Sequence, residues 1–79
     1  MDAMQQVIYA LQELKDDDFV PRNVKSRIAT TIEVLSADGE VSIRISKALT
    51  ELEAISDDSN VEPHTRSQLF NIFSLLEAV

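Results

Sequence analysis

The chain has 79 residues, carries 14 acidic against seven basic side chains for a net charge of −7, and contains no cysteine. That length holds one domain, and the lack of Cys excludes disulfides and thiolate metal sites and fits an intracellular protein. The acidic balance repels phosphate backbones and anionic lipid headgroups at long range, which disfavours generic binding to nucleic acid or to a membrane surface. No apolar run approaches the roughly 20 residues that cross a bilayer. The opening MDAMQQVIYALQELK has no basic n-region and no small-residue cleavage site, so the expected location is cytoplasmic.

From Asp2 to Lys15, Met4, Val7, Ile8, Leu11 and Leu14 fall at spacings of three and four, which predicts an amphipathic helix. Tyr9 lies off that stripe and is expected half-buried at the edge of the core. The helix should stop within Asp16–Asp18, since short acidic residues at a helix C-terminus oppose the macrodipole. If Val20 is the N-cap and Pro21 the first helical residue, Phe19 and Val24 sit where a hydrophobic staple would. Val24, Ile28, Ile32 and Leu35 then make the stripe of a second helix, although Thr30 and Thr31 lower its intrinsic propensity. Gly39 is expected to end it as a left-handed C′ residue.

The third stretch opens with VSIRIS, which alternates like a strand. No second alternating segment exists for it to pair with, and Val41, Ile45, Ala48, Leu49, Leu52 and Ile55 carry a helical stripe through to Ser56, so the helix is preferred. Ile43 lies off that stripe. After Asp57-Asp58-Ser59-Asn60, Asn60 is a good N-cap, Glu62 suits the positive helix end and Pro63 fits the first turn. Leu69, Ile72, Phe73, Leu76 and Val79 stripe the last helix, with Phe70 and Leu75 as apolar surplus.

The chain matches itself at an offset of 41 positions. Asp16-Asp17 meets Asp57-Asp58, Leu11 meets Leu52, Leu14 meets Ile55 and Val20 meets Val61; Lys25 meets Arg66, Ile28 meets Leu69, Ile32 meets Phe73 and Leu35 meets Leu76. Both stripes stay in phase without a gap. The sequence is therefore read as a single all-α domain, residues 1–79, of two helix–turn–helix hairpins spanning about 2–37 and 41–79. Two units are too few for a solenoid, and short connections favour antiparallel neighbours, so the expected architecture is an up-and-down four-helix bundle.

Val20-Pro21-Arg22-Asn23 together with Asn60, His64-Thr65-Arg66 and the closing Leu76-Glu77 resembles the small archaeal proteins of uncharacterised protein family 0147, over nearly the whole chain. Glu62 stands where that family's second proline is expected, with Pro63 one place later, and Phe70 stands where a tryptophan is usual. The resemblance implies an all-helical archaeal cytosolic protein and carries no activity with it.

Catalytic chemistry finds little to use. His64 is the only histidine, and a zinc site would need carboxylates such as Asp57 or Asp58 beside it; local hydrogen bonding in a first helical turn is the preferred reading. Ser59 and Ser67 have no marks of an activated nucleophile, Asp16–Asp18 lack the rest of a calcium loop, and a chain with one glycine has no phosphate loop. No enzyme activity, metal, cofactor or small-molecule ligand is expected. Arg22, Lys25 and Arg27, with Arg66, are read first as partners of Asp16–Asp18 or Asp57 and Asp58, and second as an anion-facing patch. Arg22 and Asn23 in one copy, and Asn60 and His64 in the other, are the non-equivalent residues of the two turns. The favoured function is a self-associating or partner-binding helical module contacting through Ile43, Phe70 and Leu75; the alternative is an adaptor for RNA or an acidic partner through Arg22, Lys25, Arg27 and Arg66.

Overall fold

In the computed structural model, which describes residues 2–79, four helices follow one another: α1 (Ala3–Lys15), α2 (Arg22–Ser36), α3 (Val41–Ser56) and α4 (Pro63–Glu77). Each packs on two neighbours, α1 on α2 and α4, α3 on α2 and α4, and the diagonal pairs do not meet. This is an up-and-down four-helix bundle. Both hairpin joints, 16–21 and 57–62, lie at one end, and the α2–α3 turn lies at the other. The radius of gyration is 11.5 Å, close to the ~11.6 Å expected of a compact domain of this length.

The core follows the repeat residue by residue. Among the described residues the buried side chains are Val7, Leu11, Leu14, Val20, Val24, Ile28, Thr31 and Leu35 in the first hairpin. In the second they are Ala48, Leu52, Ile55, Val61, Thr65, Leu69, Ile72 and Leu76, and each is the 41-position counterpart of one in the first. Burial of apolar area is the main favourable term in folding, so a core that repeats position by position is a duplicated driving force. Its two polar members stand opposite apolar ones, Thr31 opposite Ile72 and Thr65 opposite Val24. The Thr31 hydroxyl donates to the Arg27 carbonyl at 2.9 Å, which satisfies it inside the core.

The joints repeat as well. The second aspartate of each acidic run accepts, through Oδ1, the backbone N–H two residues on: Phe19 to Asp17 at 2.9 Å and Asn60 to Asp58 at 2.8 Å. The carbonyls of the same aspartates accept the N–H groups of Val20 at 3.1 Å and Val61 at 3.2 Å, and the two valines turn inward. Short acidic side chains that bond their own backbone are natural turn formers.

Several local expectations need correction. Pro21 has ψ 150° and is the N-cap of α2, so Arg22 is its first residue. Phe19 is consequently no staple; it is exposed, and Val20 is the buried residue before the cap. Glu62, not Asn60, is the N-cap of α4, with Pro63 as its first residue; Asn60 belongs to the turn made by Asp58. α2 ends at Ser36 with Ala37 extended as its C-cap, so Gly39 lies two residues beyond the cap; its φ of 127° serves the turn into α3, not a C′ cap. Tyr9 is exposed, and the nearby Glu13 carboxylate, by hydrogen bond and by charge, raises its phenol above the ordinary value. Val41 and Val79, at the ends of their predicted stripes, are also exposed.

Candidate functional site

Two regions gather the residues that sequence singles out. The first is the joint end, and its centre is Asp58. While Oδ1 holds the turn through Asn60 N–H, Oδ2 accepts from Asn23 Nδ2 at 2.8 Å, so the first turn of α2 is tied to the joint of the other hairpin. Asn60 and Asn23, in that order, hold the Asp58 carboxyl below its ordinary value; Arg27 and Arg66 add to this at longer range, against a burial cost. Arg66 turns from the α4 side, its Nε donating to the Ser56 carbonyl at 3.2 Å and its Nη2 to that of Asp58 at 3.0 Å. It thus caps the Ser56 carbonyl at the end of α3, where a positive charge is also favoured, and adds a second donor to the Asp58 carbonyl that already accepts from Val61 N–H.

These contacts redistribute the predicted basic cluster. Arg27 pairs with Glu51 across the α2–α3 interface at 3.5 Å rather than with an aspartate of either acidic run, a half-exposed pair worth about 0–1 kcal/mol. Arg66 is committed to backbone. Arg22 and Lys25 make no side-chain hydrogen bond or ion pair among the described residues. His64, the 41-position counterpart of Asn23, is exposed, and its side chain makes no bond to Asp17, the counterpart of Asp58. No group of three His, Asp or Glu side chains among the described residues is placed to hold a metal ion.

The second region is the outer seam between α3 and α4. There a groove of about 480 Å3 is lined by Glu53, Ser56 and Asp57 from α3 and its C-cap, and by Phe70, Phe73, Ser74 and Glu77 from α4. Phe70 is 74% exposed over it, while Phe73 packs partly against the core. A second depression lined by Val41, Ile45, Leu49 and Val79 shares Glu77 with it, so the two meet at an acidic side chain. The first hairpin differs in composition at the same seam. At its equivalent positions Ala29 and Ile32 replace Phe70 and Phe73, and Lys15 replaces Ser56. The smaller side chains let α1 and α2 pack more closely than α3 and α4.

Ile43, Phe70 and Leu75 do not share a surface. Ile43 lines a depression at the α2–α3 turn, with Val34 and Arg44. Phe70 lies at the α3–α4 seam. Leu75 projects from α4 about 140° away from Phe70, by helical geometry, and is half-buried against the core. Sequence reasoning missed Glu53 and Glu77 as lining residues, and took Asp57 and Asp58 only as partners of the basic cluster or of His64. The signal for the seam was present in the repeat: Phe73 opposite Ile32 and Phe70 opposite Ala29 mark where the second copy is bulkier.

The fold and its two joints define a class, small four-helix bundles made of one hairpin used twice. Within that class the chain belongs to the uncharacterised protein family UPF0147, whose model matches residues 1–79. It is 38% identical over 77 residues to a UPF0147 protein of Archaeoglobus fulgidus, covering 96% of this chain and 87% of the relative. A Sulfurisphaera tokodaii UPF0147 protein is 37% identical over 78 residues, with coverages of 96% and 86%. The crystal structure of a UPF0147 family protein from Thermoplasma acidophilum superposes with a TM-score of 0.92 at 34% identity, covering 96% of this chain and 91% of that one. The resemblance carried by Val20–Asn23 and His64–Arg66 is thereby established, and so is the all-helical fold. No helix among the described residues is long and apolar enough to cross a membrane.

Proposed function

We propose that this protein is a non-enzymatic interaction module that docks a protein segment in the α3–α4 seam. One observation carries the reading: Phe70 stands 74% exposed beside Phe73 over a groove, at positions where the equivalent hairpin has Ala29 and Ile32. An aromatic pair held on rigid helices above an open groove is the kind of anchor on which partner segments dock. A small domain gains nothing in stability from leaving Phe70 in water.

Selection of a displayed random-peptide library on the protein, with the Phe70→Asp variant as counter-target, tests this. Enriched peptides that fail on Phe70→Asp support the proposal. No enrichment, or binding indifferent to Phe70, contradicts it. Self-association at the same face is less well supported, because every copy brings a net charge of −7 to a groove bordered by acidic side chains. The adaptor reading through the basic patch is weaker still: Arg27 and Arg66 are occupied internally, which leaves Arg22 and Lys25.

A further inference from the structure

The α3–α4 groove has a charge as well as a shape. Its charged lining residues are Glu53, Asp57 and Glu77, all acidic and all exposed. The corresponding positions in the first hairpin are Gln12, Asp16 and Ser36, with Lys15 in place of Ser56 and Glu33 in place of Ser74, a net charge of −1 against −3. The second copy is therefore bulkier and more acidic at the place where the first carries Ala29 and Ile32. Three like charges bordering an apolar floor raise the local concentration of a cation, and docking one relieves their mutual repulsion.

Length adds a second constraint. The two depressions, meeting at Glu77, together follow α3 from Asp57 back to Val41, about 24 Å at 1.5 Å per residue. A helix of about 16 residues laid along them would need apolar side chains at i, i+3/i+4, i+7, i+11 and i+14 to meet Phe70, Phe73, Leu49 and Val41, with its polar flanks against Glu53, Asp57 and Glu77.

Resting on the docking reading above, we infer that the occupant of the α3–α4 groove is a cationic amphipathic helix of a partner protein, with Lys or Arg flanking its apolar stripe. The acidic border selects the sign of the partner, and Phe70 with Phe73 anchors its apolar face. A second copy of this chain has the wrong net charge for the groove, and an anionic peptide or a nucleic acid is repelled by it.

The test uses the full-length protein and two synthetic 16-residue amphipathic peptides with the same Leu/Phe stripe, one with Lys and one with Glu on the polar face. Binding is followed by fluorescence anisotropy and mapped by NMR amide shifts. The Lys peptide is expected to bind at least about tenfold more tightly than the Glu peptide, a preference of about 1.4 kcal/mol. Its affinity should weaken as salt is raised, and its shifts should fall on α3 and α4. The triple variant Glu53→Lys, Asp57→Lys, Glu77→Lys should reverse the preference; should it fold poorly, Glu53→Gln, Asp57→Asn, Glu77→Gln should abolish it. Equal binding of both peptides at the groove overturns the charge inference and leaves the docking reading intact. Failure of the Lys peptide to bind, binding mapped to α1–α2 or to Asp16–Asp18, or a dimer that buries Phe70 and is not displaced by the peptide overturns the inference; the library selection then decides the docking reading separately.

Discussion

Asn23 and Asp58, 35 positions apart, meet through a 2.8 Å hydrogen bond that fastens the start of α2 to the joint between α3 and α4. The repeat makes the bond one-sided. The counterparts, His64 and Asp17, occupy matching places in the other joint and make no such bond among the described residues. One hairpin copy thus holds the other, and the two acidic turns, alike in backbone, differ in what they do.

The pH dependence of stability should report that bond. Donation from Asn60 and Asn23 depresses the Asp58 carboxyl in the folded state, so its stabilising effect is fully present above the ordinary value of 3.8 and is lost as pH falls through the lower folded value. Asp58→Asn should lower the urea midpoint at neutral pH, with the gap to wild type closing below about pH 3.8. Asn23→Ala should show a smaller gap of the same sign, because the Asn60 N–H still binds Asp58.

Arg66 gives a sharper contrast between structural and binding roles. Its guanidinium spans the Ser56 and Asp58 carbonyls, and hydrogen bonds from a charged donor contribute about 1.5–3 kcal/mol. Arg66→Ala should cost about that much in urea unfolding, and Arg66→Lys should recover only part of it, since an ammonium cannot reproduce the fork. Arg22→Ala, with no internal partner, should stay within about 0.5 kcal/mol of wild type.

Gly39 is a third test. Its φ of 127° is a conformation L side chains rarely adopt, yet a Cβ built there would meet nothing within 4 Å. The cost of Gly39→Ala is therefore backbone strain alone, about 1–3 kcal/mol, read as a lower denaturation midpoint with α-helical content unchanged by circular dichroism.

Much of this fold is legible in the sequence, because the three- and four-residue spacing of apolar side chains is a direct image of the core. Leu11 with Leu52 and Ile28 with Leu69 align without a gap and are buried alike. Caps are less legible: whether Pro21 ends a turn or begins a helix depends on its ψ, which its ring does not fix. The role of Asp58 is not legible at all, since its partner Asn23 arrives from the other hairpin through the packing of α2 on α3. The groove lies in between. Phe73 reads as one more stripe residue, and only comparison with Ile32 reveals that it is too large for the closer packing of the first hairpin.

The proposed docking seam is the place where the second hairpin carries Phe70 and Phe73 and the first carries Ala29 and Ile32. The most direct measurement gives the protein the first hairpin's residues there, as Phe70→Ala with Phe73→Ile, and maps a library-selected peptide on both proteins by NMR. The account predicts amide shifts confined to α3 and α4 in the wild type, and loss of binding in the double variant while its fold persists. Shifts spread over α1 and α2, or equal affinity for the double variant, would contradict it.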